Sequence, residues 1–240
     1  MIYNTNVQSV SSKGIYYNNV GNNTDEPEQF LPADIVIVNA DLPYSKKILM
    51  NGSEKKRNTP VTRYDWDDKY DFSSGVIAFY WSIKKRCDSL NTHNVFLVSS
   101  SRTNMEKSWS AVRFNDPEKS CFGDLSCEFN FYVHRACGVD ESAAPKDCES
   151  VMVLVPCCTL KRDKKLVDLP KDLCIDGYKQ QFDDNFIARV KEKVLHRLGA
   201  LNDLEDLESY IVDETIETPA TYADKYNLAA GTPFALVSNV

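Results

Sequence analysis

The 240-residue sequence predicts a chain of the α/β (α+β) class, and three stretches carry that expectation. Ala33-Asp34-Ile35-Val36-Ile37-Val38-Asn39-Ala40-Asp41 contains four consecutive β-branched residues with no polar alternation. That is the pattern of a strand buried on both faces, as in the middle of a parallel sheet covered by helices. Ser73 to Ile83 is a second continuous apolar run, rich in aromatics and again strand-like. Phe182, Phe186, Val190, Val194 and Leu198 recur every four positions against Arg189, Lys191, Glu192, Lys193 and Arg197, with Gly199 behind them. This spacing predicts an amphipathic helix with a glycine close. Its polar face carries both signs of charge, which favours a core-facing stripe over a membrane-binding one.

Hydrophobic content of 42% and charged content of 26% are those of an ordinary globular protein, and the length suits one large domain or two small ones. A net charge of -7 and a pI near 5.1 exclude nucleic acid as a partner, because phosphate contact needs clustered Lys and Arg. The short basic runs Lys55-Lys56-Arg57 and Lys161 to Lys165 read as solvated loops. Met1 to Asn6 lacks the charged and apolar regions of a secretory signal. The longest apolar runs, such as Val151 to Val155, are too short to span a bilayer, so the chain is expected to be neither secreted nor membrane-spanning. Eight cysteines without a CxxC pair, with only His93, His134 and His196, are expected to be reduced and partly buried, and no metal site is expected.

In order along the chain, Val7 to Val20 predicts a hairpin about Ser11 to Gly14, and Gly21 to Glu28 a loop leading to the strand at 33–41. Pro43 forbids that strand's continuation. The carboxyl end of such a strand is where open α/β sheets bind ligands, which makes the Asn39-Ala40-Asp41 turn a cofactor-side candidate. Ser45 to Phe72 is polar, and Trp66 among its acids reads as a ring laid over a domain edge or as a docking element. Leu90 to Leu97 is the next strand. His93, at its polar start, reads as a hydrogen-bonded residue or an acid–base group. Ser99 to Ser110 predicts a short helix, and Phe129, Phe131 and Val133 alternate with Asn130, Tyr132 and His134 as in a half-exposed strand. Val151 to Val155 gives another strand and Tyr210 to Glu217 the last. Thr218 is placed as an N-cap and Pro219 as the first residue of a short helix ending before Gly231.

The words ADIVIVNADLPY (33–44), SSGVIAFYWSI (73–83), FNFYVHRA (129–136), VDESAAP (139–145), SVMVLVPC (150–157) and ETPATYADKYNLAAGTPFAL (217–236) together resemble the flavin-dependent carotenoid desaturases of the phytoene desaturase type. The resemblance implies a partial FAD/NAD(P)-binding Rossmann-like domain over 1–43, joined to a substrate domain over 44–240 with a mixed, largely antiparallel sheet flanked by helices. The GxGxxG turn with which such enzymes cradle a pyrophosphate does not occur in this sequence. The resemblance therefore implies the middle and substrate-domain portion of such an enzyme.

The implied activity is insertion of double bonds into a polyene hydrocarbon such as phytoene. No side chain accepts a hydride, so the implied cofactor is FAD. Such a substrate has no polar handle and binds by burial in an apolar, aromatic channel. Tyr80, Trp81, Phe131 and Tyr132 are the candidate lining residues, although aromatics on strands are ordinarily core. A substrate held in the bilayer implies a peripheral membrane protein, in cytoplasm or plastid. Asn39, Ala40 and Asp41 are the candidate flavin-side residues. Asp224 and Glu217 are carboxylates that can take the departing proton, and each equally reads as a surface charge. A carotenoid isomerase, a retinol saturase or a non-catalytic protein that binds apolar ligands fits the same residues.

Overall fold

A computed structural model describes residues 2–20, 28–50, 71–90, 94–105, 129–157, 159–160, 182–234 and 236–237. Trp66, His93, Cys121, Cys127, Cys158 and Cys174 lie outside the described residues, as do the basic runs at 55–57 and 161–165.

The chain opens with a meander of β1 (Thr5–Ser11), β2 (Gly14–Asn19) and β3 (Gln29–Pro32), all antiparallel. The predicted hairpin is present, closed by Gly14 at φ +146°. A Cβ there would come within 2.1 Å of the Leu31 carbonyl oxygen, so β3 can lie against β2 only across a glycine. The structure then departs from expectation. The strand predicted over 33–41 is not formed: β3 ends at Pro32, and the residues after it join no ladder among the described residues. Ile35 is 81% and Ile37 89% exposed. The apolar run asks for neighbours on both edges and cover on both faces, and the described residues supply neither. All the ladders described are antiparallel, so no parallel, Rossmann-type ladder occurs among the described residues.

Asp41 caps a single helical turn, α1 (Leu42–Tyr44), which runs on into a wider turn at Ser45–Leu49. A two-stranded ladder joins β4 (Asp71–Phe72) to β10 (Leu236–Val237). The main body is a five-stranded sheet of β5 (Gly75–Ile83), β6 (Asn94–Leu97), β7 (Phe131–Arg135), β8 (Glu149–Cys157) and β9 (Ile211–Glu217), ordered β6-β7-β8-β5-β9. With its helices this is an α+β fold. The expected short helix after β6 is one turn at 102–105 within the described residues.

One face of this sheet is the core. Ile77, Phe79, Trp81 and Ile83 of β5 join Phe131, Val133, Val151, Val153 and Val155 beneath α2 (Asp184–Leu198). That helix presents Phe186, Ile187, Val190, Val194 and Leu198 to the sheet. It starts where Asp183 accepts a bond from the Phe186 amide at 2.7 Å and ends where the Gly199 amide reaches the Leu195 carbonyl at 2.8 Å. Trp81 sends its indole N–H to Glu214 at 2.6 Å, and Lys191 of α2 meets the same carboxylate at 3.1 Å. Helix and sheet are thereby pinned at one point.

At the end of β7 a buried charge pair closes the core. Arg135 donates to Glu149 at 2.6 Å, to Asp88 at 3.1 Å and to the Leu90 carbonyl at 3.0 Å. Burial opposes ionisation of Glu149, but bonds from Arg135, the Cys137 thiol and the Cys87 amide outweigh it and hold the carboxyl below its usual range. Burial, with the Glu149 charge beside it, pushes the Cys87 thiol up to about 12, so this cysteine is an inert core residue at neutral pH.

Two stability tests follow from this packing. Glu149→Gln removes the buried carboxylate from the Arg135 guanidinium, leaving it only the exposed Asp88, and should cost about 3 kcal/mol in denaturant unfolding at pH 7. Because the Glu149 carboxyl sits below its unfolded value, its contribution is complete above that value and fades as the pH falls. The wild type should therefore lose stability below about pH 5 more steeply than the variant. Gly231 has φ +64°, and a Cβ there would come within 2.1 Å of the Pro219 carbonyl oxygen. Gly231→Ala should cost at least about 1 kcal/mol and lower the melting temperature by several degrees.

Candidate functional site

The outer face of the sheet is built from the residues that alternate with the core. Register places Phe96 beside Tyr132, Tyr132 beside Leu154, Leu154 beside Ala78 and Ala78 beside Glu217. The result is a transverse row across all five strands. At about 4.8 Å per strand it is about 19 Å long. Phe96, 72% exposed, stands at one end with its ring 5.1 Å from that of Tyr132. The neighbouring row runs Asn94, His134, Met152, Tyr80, Thr215.

At the β9 end the row passes under α3 (Pro219–Tyr226). Thr218 caps this helix in a reciprocal box with Thr221, and Asn227, at φ 56°, ends it. Capping sets the angle at which the helix folds back over β9 and β5, and this brings its side chains to Glu217. Lys225 Nζ donates to Glu217 Oε1 at 2.8 Å, and the Tyr226 hydroxyl donates to the same oxygen at 2.7 Å. Burial works against the Glu217 charge, yet the bonds from Lys225 and Tyr226 prevail and hold its carboxyl below the usual range. Those bonds, with the Glu217 charge nearby, push Lys225 above its ordinary value. Tyr222, buried in α3, is driven upward by burial and by its bond with Tyr80. The site thus joins an apolar aromatic row to an ionised, two-fold hydrogen-bonded carboxylate beside linked tyrosines.

The expected site residues are distributed as follows. Tyr80 and Tyr132 share the outer face. Trp81 and Phe131, each 2% exposed, lie on the opposite face in the core beneath α2. The four candidate lining residues thus divide between two faces, since neighbours on a strand point to opposite faces. Glu217 is at the site, whereas Asp224 is on the exposed side of α3. Lys225, Tyr226 and Tyr222 were absent from the expected set. Asn39, Ala40 and Asp41 lie at the start of α1, where Asp41 accepts from the Tyr44 amide at 3.2 Å and Ser45 donates to the Ala40 carbonyl at 3.3 Å. Burial raises the Asp41 carboxyl despite bonds from the Tyr44 and Ala229 amides. Here the turn's acceptors take the chain's own donors. A pyrophosphate needs converging N–H donors at a glycine-rich turn, so these residues do not fit a flavin phosphate cradle.

Elsewhere, a groove of about 1170 Å³ lies between α2 and residues 199–209. Its lining sets Lys191, Glu192, Glu205 and Glu208 beside Leu195 and Leu207, so a hydrocarbon there would lie against charged groups. Among the described residues no cluster of His, Cys, Asp and Glu is placed to hold a metal ion, and no helix is long and apolar enough to cross a membrane.

No protein-family model matches the chain. The phytoene desaturase of Fusarium fujikuroi is 32% identical over 216 residues, covering 88% of this chain and 34% of that protein. The phytoene desaturase of Neurospora crassa is 30% identical over 211 residues, 86% of this chain and 30% of its own length. A 4,4'-diapophytoene desaturase (4,4'-diaponeurosporene-forming) of Staphylococcus haemolyticus is 27% identical over 207 residues, 85% of this chain and 35% of that protein. The chain is a relative of the carotenoid desaturases. It spans about a third of the length of the curated relatives it matches.

The carboxylate cluster makes a titration test. Tyr226→Phe removes one of the two donors to Glu217 and should raise that carboxyl toward the ordinary glutamate value. A lowered carboxyl stabilises the fold above its unfolded value and stops doing so as the pH drops. The variant's loss of stability on acidification should accordingly be shallower, as read from melting temperatures between about pH 3 and 7.

Proposed function

We propose that this chain is the polyene-binding part of a carotenoid desaturase, an oxidoreductase that introduces double bonds into a hydrocarbon such as phytoene. Residues 44–240 form its substrate side. The observation that carries the proposal is the outer row Phe96, Tyr132, Leu154, Ala78 and Glu217. A phytoene-like molecule offers only apolar surface, worth about 25 cal/mol per Å² buried, and Phe96, Tyr132 and Leu154 offer a matching strip, beyond which α3 covers Ala78 and Glu217. For a polyene that reaches beneath α3, Glu217, kept ionised by Lys225 and Tyr226, can receive the departing proton, although the same two bonds make it a weaker base than a free glutamate. It also favours positive charge developing nearby. Tyr80, tied to Tyr222, sits one row away and walls the carboxylate end.

Desaturation also requires a hydride acceptor, which FAD supplies in the enzymes this chain resembles. Asn39, Ala40 and Asp41 do not form the N–H cradle a pyrophosphate needs, so no step is assigned to FAD on this chain. A second reading, favoured by the apolar outer row by itself, is a protein that binds an apolar ligand without oxidising it. A hydrocarbon substrate resides in lipid, and on either reading the chain belongs at a membrane surface as a peripheral protein.

Two measurements test the proposal. Phytoene delivered in liposomes should be taken up saturably by the chain. Phe96→Asp, at a side chain too exposed to matter for folding, should weaken uptake by at least about ten-fold, because it puts a charge on the track. Uptake indifferent to that change would sink the assignment. FAD added alone should give no saturable change in flavin fluorescence. Tight binding would overturn the misfit and place a flavin site on this chain.

A further inference from the structure

The groove of about 1170 Å³ between α2 and residues 199–209 takes no part in the outer row. Its floor is apolar: Leu195 is half-buried, Leu207 is buried, and both pack with the core. Its walls are acidic. Glu192 stands on α2, and Glu205, Asp206 and Glu208 stand on the return that follows it, against one lysine, Lys191. Lys191 is engaged by Glu214 at 3.1 Å and lies 3.9 Å from Glu208. Glu192, Glu205 and Asp206 are exposed and have no basic partner among the described residues. The last turn of α2 also lines the groove, through Leu195 and His196, and the partial negative charge of a helix C-terminus adds to that of the carboxylates.

We infer that this groove docks a cationic amphipathic helix of a partner protein, with the helix's apolar stripe on Leu195 and Leu207 and its lysines or arginines against Glu192, Glu205 and Asp206. The inference is independent of the polyene reading. Charge and shape together decide the occupant. A hydrocarbon would be pressed against carboxylates it cannot solvate, and a phosphate group would be repelled. A small cation would leave the leucines unused. A helix about 10 Å across fills roughly 400 Å³ per turn, so the groove accepts about two to three turns. Helices laid in grooves are anchored by apolar side chains at i, i+3, i+4 and i+7, a spacing that leaves flanking positions free for basic residues. The leucines then supply burial, while the carboxylates steer the encounter and select the sign of the partner's charge.

The probe is a synthetic peptide of leucine and lysine in helical period, about 14 residues long, labelled with a fluorophore and titrated into the full 240-residue chain. Its binding should be saturable and should slow amide exchange at 188–199 and 205–209. Glu192→Lys with Glu205→Lys reverses two exposed groove carboxylates and should weaken binding by at least about ten-fold. Asp34→Lys with Glu141→Lys changes the net charge equally, at exposed positions that do not line the groove, and should weaken binding less than about two-fold. A leucine–glutamate peptide of the same pattern should not bind. Equal losses in the two double variants would mean attraction to net charge alone and overturn the docking site. Binding of the acidic peptide, or no saturable binding of the basic one, would overturn it as well.

Discussion

The pleat of β5 is the constraint on which the rest of the structure depends. It is the strand paired on one side with β8 and on the other with β9, so its alternation sets that of its neighbours. Phe79 and Trp81 go to α2, while Ala78 and Tyr80 go to the outer face. The Trp81–Glu214–Lys191 contact and the Tyr80–Tyr222 contact are consequences of adjacent residues pointing oppositely. A slip of one residue in either ladder would carry Trp81 out into the row and Tyr80 into the core. Such a slip would forfeit the burial of the largest side chain beneath α2, which makes the register strongly specified.

Much of this was legible in the sequence wherever a period was visible. α2 followed from the four-residue spacing of Phe182 to Leu198, and α3 from Thr218 and Pro219 as cap and first residue. The faces of β7 followed from strict alternation at Phe129 to His134. The face taken by each candidate lining residue was legible too, though ring chemistry alone does not give it. Tyr80 with Trp81, and Phe131 with Tyr132, are sequence neighbours on strands, so parity alone separates each pair. The ring chemistry that suggested all four carries no information about face. Lys225, Tyr226 and Tyr222 were harder to foresee, because their approach to Glu217 depends on the angle between β9 and α3. That angle is set by the Thr218–Thr221 box and by contacts with β5. The Arg135–Glu149 pair likewise links residues fourteen apart through a strand return that no local pattern announces.

The segment at 33–38 shows the converse limit. Its run of β-branched residues states a demand for burial, and burying a side chain such as Ile35 or Ile37 is worth about 1.5–3 kcal/mol. A demand written in the sequence does not name its supplier. Antiparallel strands with one core face satisfy themselves within this chain, as β5 and β8 do. A run apolar on both faces needs two further strands and two covering layers. Among the described residues it joins no ladder: the Ala33 amide reaches the Lys13 carbonyl at 3.1 Å, Val36 and Val38 are half-buried, and Ile35 and Ile37 face solvent.

The same accounting bears on the outer row. A sheet face is one wall, and a flexible hydrocarbon laid across about 19 Å of it keeps its far side in water. Only part of its surface is then buried, while the losses on association, of order 4–15 kcal/mol, are met in full. An isolated wall of this size should therefore hold a polyene weakly and with little selectivity along the chain. Tight binding requires a second apolar surface closing over Phe96, Tyr132 and Leu154. At the other end α3 packs directly on Ala78, which is fully buried, so that part of the row is taken by the chain's own helix. The open part is Phe96, Tyr132 and Leu154, and Glu217 lies beyond it under α3. How α3 sits on β9 and β5 therefore decides what can reach the carboxylate, and the angle set at Thr218 governs that.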